Sequence, residues 1–111
     1  DVAQLIRSFV EQGKPIAALC MGPTTVAKAL EGTDYKAKLS VGTTAEASPY
    51  DIAGIAGGME KTGAESTEKS VREIAVDDSL KIISAPCYMM EASILEVREN
   101  IKMAIERLMQ Y

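Results

Sequence analysis

The chain has 111 residues, enough for one domain around one modest core. Apolar residues make up 47% of it, which fits a globular chain rather than a disordered one. A net charge of −4, scattered basic residues and few aromatics argue against nucleic acid as the main partner, and the lack of a long apolar run or a signal peptide argues against a membrane.

In chain order, Val2, Leu5, Ile6, Phe9 and Val10 recur at helical spacing, so residues 2–12 are predicted as an amphipathic helix that stops at Gly13. "KPIAAL" (14–19) is a short continuous apolar run, the pattern of a strand buried on both faces in a parallel sheet. Residues 23–31 return to helical spacing, with Val26, Ala27 and Leu30 on one side and Gly32 at the end. "AKLSVG" (37–42) is predicted as a second strand, followed by a polar loop at 43–50. A weaker helix is expected over 51–62, since Gly54, Gly57 and Gly58 each cost roughly 1 kcal/mol relative to alanine; Gly63 would cap it. "SVREIAV" (70–76) alternates as a strand does, "DDS" (77–79) makes a turn, and "LKIISA" (80–85) gives a strand able to pair back as a hairpin. A long helix is predicted over 91–110 with Ile94, Val97, Ile101, Ile105 and Leu108 as its buried stripe. Helices alternating with short apolar strands imply a layered α/β fold.

Two cysteines, Cys20 and Cys87, are too few for a disulfide framework, and a reducing intracellular compartment is the simplest setting for them. There is no histidine, which removes a Ser-His-Asp triad or Cys-His dyad from this chain. Two cysteines and scattered carboxylates match no zinc spacing, so no metal is expected, and no cofactor.

Cys20 lies where the first strand meets the second helix. In an open parallel sheet, chemistry collects at the carboxyl ends of strands. Gly22 would allow a tight turn, and Pro23 suits a first helical position because its missing N–H costs nothing there. The positive end of the helix dipole would favour a thiolate at Cys20, and the Met21 N–H could face an oxyanion. This is the strand–turn–helix arrangement of a nucleophile elbow. The competing reading is a cysteine that merely fills space as a small hydrophobe. For Cys87, in "SAPCYMMEA", a buried structural role is the better reading, and Met89, Met90, Met103 and Met109 are expected as core filler. Glu91 is placed at the start of the last helix, where the dipole favours a carboxylate; holding the loop beside the cysteine is its weaker reading.

The segment "GKPIAALCMGPTTVAKAL" resembles the nucleophile region of the ThiJ/PfpI superfamily, within the class I glutamine amidotransferase-like fold. "KLSVGTTAEA" and "GGMEKTGAESTEKSVREIAVDDSLKIISAPCYMMEASILEVRENI" are similar to the ElbB-type branch, the enhancing-lycopene-biosynthesis proteins and their mitochondrial relatives. The resemblance implies a three-layer, flavodoxin-like α/β sandwich with a mostly parallel sheet. It places Cys20 as the elbow nucleophile, Met21 at the oxyanion hole, and Gly22 and Pro23 in the turn. Thr43 and Thr44 then stand where other superfamily members carry a histidine, and with Glu91 they are candidate walls of the site. Family members are longer, and their first half brings central strands and an acidic partner for the cysteine. Residues 1–111 are therefore expected to be the C-terminal part of one such domain, incomplete without that half on the same or another chain.

The functional expectation is a cysteine-dependent, glyoxalase-like action on small reactive aldehydes, with amidotransferase-like hydrolysis as the family's label. The alternative is a non-catalytic redox-sensing or binding protein linked to isoprenoid metabolism. A homodimer, a small-molecule substrate and a cytoplasmic or mitochondrial location complete the reading.

Overall fold

A computed structural model describes all of residues 1–111. Helix α1 spans Val2–Glu11 and is capped by the Asp1 carboxylate, which accepts from the Gln4 N–H at 2.8 Å. Strand β1 follows at Ile16–Leu19 and helix α2 at Gly22–Ala29. Val26, Ala27 and Leu30 are all buried, as their spacing implied. Strand β2 is only Lys38–Leu39, and helix α3, Ile52–Lys61, begins on an Asp51 cap 3.1 Å from the Gly54 N–H. Strand β3 (Glu65–Ser66), strand β4 (Ala75–Asp77) and strand β5 (Ile82–Ala85) lead to a single 3-10 turn at Cys87–Met89 and to helix α4, Ile94–Leu108.

The main sheet has the order β1-β5-β4. β1 and β5 are parallel, with Leu19 opposite Ala85, while β4 and β5 form the expected antiparallel hairpin, with Val76 opposite Ile83. β2 and β3 make a second, parallel pair. Two of the three pairings are therefore parallel, and the fold is mixed α/β. Both α2 and α4 pack on β1, as a parallel strand needs. β1 pairs on one side only, so its other edge is open.

Several expectations are corrected. The strand predicted over 37–42 pairs only at 38–39. Beyond Leu39 its backbone is held by side chains instead: the Ser40 N–H donates to Ser84 Oγ at 3.0 Å, and both serines are fully buried. Gly42 then takes φ +130, which ends extended pairing. The strand predicted over 70–76 forms only from Ala75. Asp77 belongs to that strand rather than to the turn: its buried carboxylate accepts the Lys38 N–H at 2.9 Å and the Leu80 N–H at 3.0 Å, fastening β2 to the hairpin.

The last helix starts three residues later than predicted, because Ser93 and Glu96 form a capping box: the Glu96 N–H donates to Ser93 Oγ at 3.2 Å and the Ser93 N–H to Glu96 Oε1 at 3.1 Å. Its buried stripe is Val97, Asn100 and Ala104; Ile94 and Ile105 are exposed. Among the methionines, Met89 and Met90 fill the core, but Met103 and Met109 face solvent.

Candidate functional site

β1 delivers Cys20 to its carboxyl end, and the Cys20 N–H still donates to Ala85 O at 3.0 Å, so the residue is pinned to the sheet. There the chain turns sharply: Cys20 has φ 58, in the left-handed region that L-residues other than glycine seldom occupy. Met21 follows with φ −86 and ψ −6, and α2 begins at once. A side chain held in this conformation is projected from the strand end beside the helix N-terminus. The Met21 N–H finds no acceptor within the protein, and Pro23, at the start of α2, needs none. Thr24 closes the turn by donating to Met21 O at 2.6 Å.

Gly22 takes no positive φ in this turn. The strained dihedral falls on Cys20, Gly22 itself opens the helix, and a Cβ there would meet Ala18 Cβ at an ordinary 3.6 Å.

Cys87 opens the 3-10 turn two residues beyond the end of β5 and also has a left-handed φ of 51. It is buried, as expected, but its neighbour is the candidate nucleophile. Burial pushes the Cys87 thiol above the ordinary range; the Cys20 backbone N–H, close by, opposes this, and the negative charge of a Cys20 thiolate adds to it. Asn100 Oδ1 accepts the Cys87 N–H at 2.7 Å, and its amide donates to Glu73 O at 2.8 Å.

The candidate walls are only partly assembled. Thr43 is buried, and its N–H points at Met90 Sδ, 3.5 Å away. Thr44 is exposed and holds the Glu68 carboxylate, at 2.7 Å from its N–H and 2.6 Å from its hydroxyl. Those contacts, the Thr44 hydroxyl most, pull the Glu68 pKa down. Thr43 and Thr44 line a cavity of about 230 Å³ with Ser48, Tyr50 and Asp51. Cys20 lines none of the cavities. Glu91 lies before α4 rather than at its start, since Ser93 is the cap; its backbone N–H ties the turn to Ala47 O at 3.0 Å while the residue is exposed. No group of three or more cysteine, aspartate and glutamate side chains is placed to hold a metal ion.

The comparisons show that the chain has the amidotransferase-like α/β fold. The chain is 27% identical over 111 residues to the human mitochondrial glutamine amidotransferase-like class 1 domain-containing protein 3, covering 99% of the chain and 40% of that protein. It is 25% identical over the same length to the rat mitochondrial ES1 protein homolog, again covering 40% of it. The crystal structure of an isoprenoid biosynthesis protein with an amidotransferase-like domain from Ehrlichia chaffeensis superposes with a TM-score of 0.82 at 24% identity, over 99% of this chain and 46% of that one. The chain thus spans less than half the length of each of these proteins. No protein-family model matches it.

Proposed function

We propose that this chain is the C-terminal part of an ElbB-type ThiJ/PfpI-like domain, in which Cys20 is a nucleophile toward small reactive aldehydes. The observation that carries the reading is Cys20 itself, left-handed at φ 58 where β1 runs into α2, with the Met21 N–H free beside it. The Cys20 thiolate adds to the aldehyde carbon and forms a hemithioacetal. The Met21 N–H faces the oxyanion that develops. The open edge of β1 and the shared length with longer relatives support a proton-moving carboxylate supplied by the remainder of the domain, since neither Glu68 nor Glu91 is bonded near Cys20. Amidotransferase-like hydrolysis is the weaker activity, because no histidine is present to serve as its base.

The structural neighbour is an isoprenoid biosynthesis protein, which supports a link to isoprenoid metabolism, and the names of the two relatives support a mitochondrial over a cytoplasmic setting. No helix is long and apolar enough to cross a membrane. Self-association into a homodimer belongs to the same reading and is measured by sedimentation.

The test is methylglyoxal consumption by the full-length protein and its Cys20→Ala variant. Turnover that disappears in the variant supports the nucleophile. Turnover that survives the substitution overturns it.

A further inference from the structure

The two cysteines follow paired strands, Cys20 directly after β1 and Cys87 two residues after β5. Leu19 stands opposite Ala85, so Cys20 comes abreast of Pro86, one residue short of Cys87. Beyond Ala85 the chain leaves the strand, with Pro86 at φ −64 and ψ −37, and this sets the Cys87 sulfur close to the Cys20 backbone N–H. A disulfide needs its two Cα atoms about 4.4–6.8 Å apart. Both residues are left-handed, φ 58 and 51, so each chain bends out of its strand at this point. Burial differs between the two: Cys20 is half-buried, whereas Cys87 is 2% exposed.

From this placement we infer that Cys20 and Cys87 are a redox-active dithiol, in which a hydroperoxide oxidises Cys20 and Cys87 closes an intramolecular disulfide onto it. The inference deepens the alternative redox role and rests on the reactivity of Cys20 proposed above. In the first step the Cys20 thiolate attacks one peroxide oxygen; the S–O bond forms, the O–O bond breaks, and the departing oxygen takes a proton, leaving Cys20 as the sulfenic acid. In the second, the Cys87 sulfur attacks the Cys20 sulfur; the S–S bond forms, the S–O bond breaks, and hydroxide leaves with the Cys87 proton as water. Two thiols are oxidised by two electrons, and the hydroperoxide is reduced to an alcohol and water. The disulfide removes the nucleophile from use and shields it from further oxidation, and reduction restores both thiols.

The experiment treats the full-length protein with hydrogen peroxide and reads it by intact mass and peptide mapping, alongside Cys87→Ala and an iodoacetamide control at Cys20. The expected product has lost two hydrogens, joins the Cys20 and Cys87 peptides within one chain, and reverts with dithiothreitol. In Cys87→Ala, Cys20 should instead gain oxygen, and the irreversible sulfinic form should rise several-fold. Wild-type Cys20 that gains oxygen while Cys87 stays free overturns the dithiol and leaves the nucleophile standing. A Cys20 inert to both peroxide and iodoacetamide overturns both.

Discussion

Asn100, at the middle of α4, accepts the backbone N–H of Cys87 at 2.7 Å and is itself fully buried. The same side chain donates to Glu73 O at 2.8 Å, so one amide links the last helix, the turn after β5 and the segment before β4. Truncating it leaves the Cys87 N–H buried without an acceptor, at a cost of about 1–3 kcal/mol. Asn100→Ala should lower stability by that amount in a urea titration, and the Cys87 amide should lose its protection against hydrogen exchange. An Asn100→Ala protein with wild-type stability and a protected Cys87 amide would contradict the linkage.

Gly42 and Gly22 should respond oppositely to alanine. At Gly42, φ is +130 and a Cβ would lie 2.7 Å from Met90 Sδ and 3.3 Å from Ile52 Cδ1. Met90 is buried, so it gives way poorly, and Gly42→Ala should cost about 1–3 kcal/mol. At Gly22 the added methyl meets only Ala18 Cβ at 3.6 Å in a helical residue, and Gly22→Ala should be neutral or stabilise by about 0.5–1 kcal/mol. Thermal unfolding of the two variants separates the cases.

Glu68 should titrate below an ordinary glutamate. The Thr44 hydroxyl, then the Thr44 N–H, favour its charged form, and slight burial opposes them. A depressed carboxyl contributes stability that is present above its unfolded value, about 4.3, and is lost as pH falls through its folded value. In an NMR titration, Thr44→Ala should move the Glu68 midpoint upward. An unchanged midpoint would sink the assignment.

Cys87 gives the opposite pH dependence. Its raised pKa means that the unfolded chain releases this proton first, so its contribution to stability is intact below the unfolded value, about 8.5, and falls as pH rises beyond it. Chemical unfolding between neutral and alkaline pH should show a decline that Cys87→Ala reduces. The same slope in both proteins would count against a desolvated thiol.

Much of this was legible in the sequence, and the limits are physical. The periodicity of α1 and α2, the apolar run of β1 and the turn before β5 all follow from local patterns that the tertiary structure keeps. The strand–turn–helix junction at Cys20 was readable because an apolar strand, a cysteine and a Gly-Pro pair stand in immediate succession. What escaped depends on partners far along the chain. Ser84 and Asp77 replace ladder bonds to 38–40 with side-chain bonds, so a run that reads as one strand pairs over two residues. Asn100 interrupts an apolar stripe because its partners, Cys87 and Glu73, lie in other segments. Ile94 and Ile105 fit the helical period yet face outward, since periodicity fixes a face without saying what covers it. The capping box at Ser93 and Glu96 was a local signal, and it would have corrected the start of α4.

The conformation of Cys20 can be tested apart from its chemistry. A residue with a Cβ held at φ 58 carries strain of roughly 1–2 kcal/mol that glycine does not. Cys20→Ala and Cys20→Gly both remove the sulfur and its packing, and they differ by one methyl group. If the backbone at this junction is fixed by the sheet on one side, through the bond to Ala85 O, and by α2 on the other, the glycine variant should be the more stable of the two by about 1 kcal/mol. In an ordinary strand end the order reverses, because glycine costs more entropy on folding than alanine does. Urea denaturation of the pair decides this by sign alone. A more stable alanine variant would mean that the turn relaxes once the thiol is gone and that the side chain imposes the conformation; a more stable glycine variant places the strain in the backbone, where it holds the Cys20 side chain out from the strand end.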